Sequence, residues 1–105
     1  HNGRIEVDLE SKELDQLGMV LDFGIVRDVV RKWVDDHLDH RMLLCQADPI
    51  VPILQAQGEP LFLMEENPTA ENIAKVIFRH GNSAGLPITE IRLWETPSSY
   101  AAYRE

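Results

Sequence analysis

The chain has only one cysteine, Cys45, so an internal disulfide is excluded. A lone cysteine is typical of proteins in a reducing compartment, and we expect a cytoplasmic setting. No apolar run approaches the ~20 residues needed to span a bilayer, and no signal peptide is recognisable. Basic residues are scarce, with 10 Lys and Arg against 18 Asp and Glu, which gives a formal net charge of −8. Nucleic acid and anionic membranes are therefore not expected as general partners.

Length and composition favour a single small domain over residues 1–105. That length is close to the commonest domain size, and 44% hydrophobic residues suffice for a core. Small domains leave much apolar surface uncovered and often associate. The chain opens on His1 without an initiator Met. Because these first residues already read as a strand, we expect an N-terminal segment to precede them.

The first residues alternate as a half-buried strand does. Ile5, Val7 and Leu9 are separated by acidic residues, so the odd-numbered face of this strand points inward. His1 shares that face, where a histidine without further context is more often a core residue than a ligand. Met19–Leu21 predicts a returning strand, and therefore a hairpin.

A helix is predicted over residues 24–38. Asp22 is a suitable N-cap, and Val26, Val30 and Trp33 have the spacing of one buried stripe. We interpret Trp33 as a core residue, because a tryptophan on such a stripe is far more often core than part of a cofactor site.

Residues 41–67 form the least regular stretch and contain three prolines. They predict a long surface excursion, with a helical turn near residues 50–57 and a short strand at residues 61–64. A loop of this length in a compact domain is usually functional or contacts a partner.

A second helix begins after Thr69 and is predicted to reach residue 79 or 80, where Gly81 and Gly85 end it. Residues 88–95 then form the last strand. Strands that neighbour one another in sequence, with two long helices between them, predict an α+β layer with the helices on one face.

Asp39 and His40 are adjacent at the end of the first predicted helix. A carboxylate beside an imidazole can hold its tautomer and raise its basicity, which suits proton transfer near neutral pH. Without further context, the pair is better explained as the charged end of a helix than as a catalytic pair. His37 and His40, one helical turn apart, are also compatible with a second metal site, although a solvated acidic helix end is the preferred interpretation.

Thr69 and Glu71 have a sufficient structural role as cap and first-turn acid, and the same helix start presents free backbone N–H groups. Glu95 follows Ile91 and Leu93 in strand phase, which directs it toward the packed face. A buried carboxylate is unfavourable unless it is paired, so Glu95 is a candidate ligand anchor. The alternative is a strand-end residue that escapes to solvent.

Three motifs in fixed order carry a family resemblance: Leu38-Asp39-His40, Pro68-Thr69-Ala70-Glu71-Asn72 and Trp94-Glu95-Thr96. Together with the opening His1-Asn2-Gly3-Arg4, they resemble the 6-pyruvoyltetrahydropterin synthase and 6-carboxytetrahydropterin synthase family. The resemblance implies a tunnelling fold, in which an antiparallel sheet with two helices on one face assembles into an oligomeric barrel. It also implies a homohexamer of two stacked trimers with active sites between subunits.

The family resemblance assigns roles to residues. His1 matches one of three zinc-binding histidines, and the other two ligands and the cysteine base would precede it. Asp39 and His40 supply a proton relay, Thr69 and Glu71 border the pterin pocket, and Glu95 anchors the pterin. Cys45 lies in an apolar stretch and is interpreted as structural rather than as the base.

The implied activity is zinc-dependent conversion of 7,8-dihydroneopterin triphosphate to 6-carboxytetrahydropterin, with release of acetaldehyde and triphosphate, in queuosine biosynthesis. Zn2+ is the implied cofactor. Two alternatives stay open: the lyase that makes 6-pyruvoyltetrahydropterin, and a non-catalytic pterin-binding module.

Overall fold

The structure is a computed structural model, and it describes residues 4–10 and 22–105. Its elements in chain order are β1 (Arg4–Leu9), α1 (Phe23–His37), β2 (Met42–Cys45), α2 (Val51–Ala56), β3 (Leu61–Met64), α3 (Ala70–Ser83), β4 (Ile88–Thr96) and β5 (Ser99–Arg104). This arrangement confirms the predicted α+β class. The strand expected at Met19–Leu21 and the candidate ligand His1 lie outside the described residues.

The main sheet is antiparallel and has the strand order β1-β4-β5. Ile5 and Val7 pack against the buried core, as the alternation predicted, and Ile91 of β4 is fully buried. On the opposite face Arg92 donates to both carboxylate oxygens of Asp8 at 2.6 and 2.8 Å. These hydrogen bonds from Arg92 lower the pKa of the Asp8 carboxyl below its ordinary value.

Both long helices begin where their caps predicted. The Asp22 carboxylate accepts a hydrogen bond from the Gly24 N–H at 2.7 Å, and Thr69 Oγ1 accepts one from the Asn72 N–H at 3.1 Å. The two helices bury apolar stripes against the sheet: Val26, Val30, Ala74, Ile77 and Phe78. In the ranges that the structure describes, no helix is long and apolar enough to cross a membrane.

The prediction of an irregular excursion over residues 41–67 was wrong in one respect. Met42–Cys45 forms β2, which pairs in parallel with β3 to make a second, two-stranded sheet. The expected helical turn is present as α2, the connection between these two strands. The fold therefore has a small parallel sheet, β2-β3, beyond the antiparallel sheet that was expected.

The chain also continues past the strand that was predicted to be last. After β4, a turn at residues 97–98 leads into β5, which forms an edge of the main sheet. The second correction concerns the end of α3. Gly81 lies inside the helix, whereas Gly85, with a φ of 93°, follows its last residue, Ser83, as expected. The missing side chain of Gly81 allows close packing, because a Cβ at this position would lie 2.1 Å from Ile88 Cδ1.

We expect Gly81→Ala to lower the free energy of unfolding by about 1–3 kcal/mol. Ile88 is only 5% exposed, so its terminal methyl has little room to move away from an added Cβ. The ~1 kcal/mol helix preference of Ala over Gly offsets only part of that clash. Urea denaturation measures the effect. In the double variant with Ile88→Val, which lacks the clashing methyl, the loss should be smaller than the sum of the single losses; simple additivity would contradict this account.

Candidate functional site

The Asp39–His40 pair lies in the connection that follows α1. The N–H groups of Leu38 and Asp39 both donate to the Val34 carbonyl, at 2.8 and 2.9 Å, and end the helix. Asp39 Oδ2 lies 3.5 Å from His40 Nε2, an ion-pair distance that is longer than an ordinary hydrogen bond. The side chains are 55% and 93% exposed, respectively. An accessible imidazole beside a carboxylate is an arrangement suited to general acid–base chemistry.

His40 has an unusual backbone conformation. Its φ of 57° makes it the one non-glycine residue with positive φ in residues 4–10 and 22–105. This left-handed conformation is unfavourable by about 1–2 kcal/mol for a residue with a Cβ. Such strain is concentrated at active sites and ligand-binding segments. The conformation turns the chain from α1 toward β2, and the Arg41 N–H donates to the Leu38 carbonyl at 3.2 Å within this turn.

We expect His40→Gly to be more stable than His40→Ala by about 1 kcal/mol. Both variants lack the imidazole, so the difference reports only the backbone preference at this position. Urea denaturation of the pair measures it. Asp28, exposed within α1, is the matched control, since there Ala should be more stable than Gly by about 1 kcal/mol. Equal stability of the two variants at residue 40 would contradict the left-handed conformation.

Four aromatic rings pack together where α1 ends, and we call Trp33, His37, Phe62 and His80 the aromatic cluster. The Trp33 ring is stacked with His37 at a centroid distance of 5.0 Å and with His80 at 4.8 Å. Phe62 of β3 meets Trp33 edge-on at 5.8 Å. Partial burial, with a smaller contribution from the nearby charge of His37, lowers the pKa of His80 below its ordinary value.

The prediction that Trp33 is a core residue is confirmed in part, since Trp33 is partly buried and packs against the buried cluster between α1, α3 and the sheet. Sequence reasoning did not single out His80. A signal for it was present, because His80 follows Ile73 and Ile77 at helical spacing on the stripe that faces the core.

The second metal site considered for His37 and His40 has no support in the structure. His37 stacks on Trp33, and its Nδ1 lies 3.0 Å from the Trp33 carbonyl oxygen. His40 lies beyond the end of α1, so the two histidines do not share a helix face. Across the two described ranges, no group of three or more His, Cys, Asp and Glu side chains is arranged to hold a metal ion. The described residues therefore do not form a zinc site by themselves.

Thr69 and Glu71 lie at the start of α3, both exposed to solvent. The Thr69 hydroxyl oxygen caps the helix, and the Asn72 side-chain amide donates to the Asn67 carbonyl at 2.9 Å, which fixes the preceding turn. Glu71 lies in the first turn, where a carboxylate is favourable near the positive end of the helix dipole. The capping role is confirmed, and substrate contact by either residue stays a prediction.

Glu95 lies at the end of β4 beside a pocket of about 220 Å³, and the lining residues are Arg4, Trp94, Glu95, Thr96 and Pro97. The expectation that Glu95 is buried on the packed face was wrong for the single chain, because Glu95 is exposed. The physical reason is a register shift between Trp94 and Thr96, which interrupts the strand alternation at this residue. The carboxylate is therefore accessible to a ligand.

Trp94 forms a fixed wall of this pocket. The Arg4 guanidinium carbon lies 4.5 Å from the centroid of the indole ring, a cation–π contact, and Tyr100 packs on the same ring at 4.5 Å. The indole Nε1–H donates to the Glu6 carboxylate. Sequence reasoning did not assign Arg4 and Trp94 to a pocket, because β1 and β4 are far apart in the sequence and meet only in the sheet.

The candidate residues fall in three places on one chain: the connection after α1, the start of α3 and the end of β4. Within the described part of the chain, the pocket beside Glu95 is lined neither by the Asp39–His40 pair nor by Thr69. The described residues of one chain therefore bring Asp39 and His40 together, and this pair lies outside the pocket beside Glu95.

The chain is similar in sequence to proteins of one known family. A family model described as 6-pyruvoyl tetrahydropterin synthase matches residues 1–105. A 6-carboxy-5,6,7,8-tetrahydropterin synthase of Rickettsia conorii is 34% identical over 107 residues, covering 95% of this chain and 78% of that protein. The Haemophilus influenzae protein of the same name is 33% identical and covers 100% of this chain and 80% of its own length.

A solved structure of an uncharacterized Wolinella succinogenes protein superposes with a TM-score of 0.73 at 24% identity, and the match covers 98% of this chain and 76% of that one. This likeness shows the shared fold. Together with the family match over the whole chain and the curated relatives at 30–35% identity, it leads to one conclusion: the chain belongs to the 6-pyruvoyl tetrahydropterin synthase family.

Proposed function

We propose that this protein acts as a 6-carboxytetrahydropterin synthase, converting 7,8-dihydroneopterin triphosphate to 6-carboxytetrahydropterin and releasing acetaldehyde and triphosphate. The observation that carries the proposal is the set of relatives at 30–35% identity from several organisms, which bear the name 6-carboxy-5,6,7,8-tetrahydropterin synthase. The product belongs to queuosine biosynthesis, which is the pathway we expect for this protein.

The roles we propose for the site residues follow from their chemistry. Glu95 accepts two parallel N–H groups from the aminopyrimidinone edge of the pterin, a bidentate contact that only a carboxylate satisfies fully. Asp39 and His40 move a proton at the substrate side chain, which their accessibility supports. Thr69 and Glu71 contact the pterin ring from the start of α3.

We further propose that the active site is completed between subunits of a homohexamer, built as two stacked trimers. Two observations on the described residues support this: the pocket beside Glu95 is not lined by the Asp39–His40 pair, and β5 lies at the end of the strand order β1-β4-β5, where backbone groups can pair with another strand. Light scattering of the purified protein measures the assembly directly; a monomer would contradict this proposal.

Zinc dependence is also part of the proposal. It rests on His1, which the resemblance assigns as one ligand, and on ligands expected upstream of it. The described residues do not supply a metal-binding cluster by themselves. The cytoplasmic setting expected from the lone Cys45 stays a prediction.

The test is metal content and turnover of the natural full-length protein on 7,8-dihydroneopterin triphosphate, assayed for acetaldehyde and triphosphate. Acetaldehyde release with about one zinc per chain is the expected result. Triphosphate release without acetaldehyde would overturn the carboxy product in favour of 6-pyruvoyltetrahydropterin, the product in the matching family's name. No turnover, with pterin binding retained, would leave a binding module.

A further inference from the structure

The aromatic cluster has no role in the function proposed above, yet it contacts both elements that flank the Asp39–His40 pair. We propose that Trp33 and His80 are positioning residues, which act through the aromatic cluster to hold the connection containing Asp39 and His40 in place. Only the catalytic consequence rests on the proposed function. The structural consequence can be measured without any substrate.

The first end of the connection is held at α1. His37 is the last residue of the helix, and its ring stacks on Trp33 with an interplanar angle of 19°. Its Nδ1 also lies 3.0 Å from the Trp33 carbonyl oxygen. The residue that ends α1 is therefore fixed to the Trp33 ring two positions before Asp39.

The second end is held at β2. The Met42 N–H donates to the Pro60 carbonyl at 3.1 Å, and Leu43 pairs with Phe62 in the parallel sheet. Phe62 in turn meets both Trp33 and His37 edge-on, at 5.8 and 6.4 Å. The strand that receives the chain after His40 is therefore tied, through Phe62, to the same Trp33 ring.

His80 joins the third element, α3, to this cluster. Its ring stacks on Trp33 at 4.8 Å with an interplanar angle of 26°. Burial lowers the pKa of His80, which favours the uncharged ring that stacks in this cluster. α1, β3 and α3 thus all meet at Trp33.

The connection depends on such support because it contributes little packing of its own. His40 is 93% exposed and has the unfavourable left-handed backbone conformation. Productive proton transfer needs the reacting groups to be held within about 0.5 Å of their working geometry. A strained, exposed loop meets that requirement only if its two ends are rigid, and here both ends lead to the aromatic cluster.

The experiment compares Trp33→Leu with Trp33→Phe, and uses Val29→Ala as a control on the same helix. Val29 packs against the core but lies outside the aromatic cluster. Hydrogen exchange followed by NMR measures the protection of the Asp39 and Arg41 amide hydrogens, which donate to the Val34 and Leu38 carbonyls, respectively. After normalisation for global stability, we expect Trp33→Leu to lower their protection about tenfold or more. Trp33→Phe should restore it, and Val29→Ala should leave it unchanged.

In the same variants, kcat on 7,8-dihydroneopterin triphosphate should fall about tenfold in Trp33→Leu with KM retained, and recover in Trp33→Phe. Undiminished protection of both amides in folded Trp33→Leu would overturn the proposal. If that variant does not fold, His80→Leu provides the same comparison. Absence of turnover in the unmodified protein would refute the proposed function, and the exchange data would still decide whether the cluster positions the loop.

Discussion

Glu95→Ala is expected to weaken pterin binding by about 30-fold or more, because removal of one partner from a charge-assisted hydrogen-bonded pair is unfavourable by roughly 2–5 kcal/mol. The carboxylate lies beside a pocket in which Arg4 and Trp94 form the neighbouring wall. Its proposed ligand edge presents two N–H donors, and among the described residues that line the pocket Glu95 alone carries two equivalent acceptor oxygens. Isothermal titration with a stable pterin such as neopterin measures the loss.

Two further variants make this prediction specific. Glu95→Gln keeps the size of the side chain but replaces one acceptor oxygen with an NH2 group, so it should lose nearly as much affinity as Glu95→Ala. Glu59→Ala removes an exposed glutamate from a different part of the surface and should bind pterin normally. Retained affinity in Glu95→Ala would remove this residue from the binding site.

His40→Ala is the second change for which we expect a large effect, a reduction of kcat by about 10²- to 10⁴-fold. The imidazole is solvent-accessible and lies 3.5 Å from the Asp39 carboxylate, and it is the proposed proton carrier. Because no contact with the pterin ring is assigned to it, the dissociation constant for neopterin should change little. Steady-state kinetics and titration on the same sample separate the two quantities.

Asp39→Asn tests how the two residues cooperate. The amide keeps the size of the carboxylate but loses the charge that favours the protonated imidazole, so we expect a smaller loss of kcat than in His40→Ala. His40→Gly should be as inactive as His40→Ala although it is the more stable of the two, because stability and proton transfer depend on different parts of the residue. Unchanged kcat in His40→Ala, or an effect confined to KM, would contradict the relay.

The outcome of the sequence analysis depended on whether a feature is local. Asp22 and Thr69 marked the starts of α1 and α3 correctly, because an N-cap acts within three residues of itself. The prediction of which face of β1 points inward was confirmed for the same reason, because the alternation that includes Ile5 and Val7 is visible within one short segment. The motifs were equally local, and the family match over residues 1–105 bears out the resemblance they carried.

Errors arose where pairing over long sequence distances decided the structure. Met42–Cys45 has neither alternation nor β-branched residues, and it is a strand because it lies against β3. Ser99–Arg104 contains two alanines, which are poor strand formers, and pairing with β4 makes it β5. Gly81 looked like a helix end, but Ile88 packs where its side chain would be.

The sequence by itself determined the starts of the long helices, the inward face of β1 and the groups able to perform the chemistry, Asp39, His40 and Glu95. Helix caps, hydrophobic periodicity and side-chain chemistry are properties of short segments, so they can be recognised in the amino-acid sequence alone. Only the tertiary structure decided that Glu95 is exposed and that Trp33 stacks with His80. Those features depend on a register shift between paired strands and on the packing of α1 against α3, which arise only when distant segments meet.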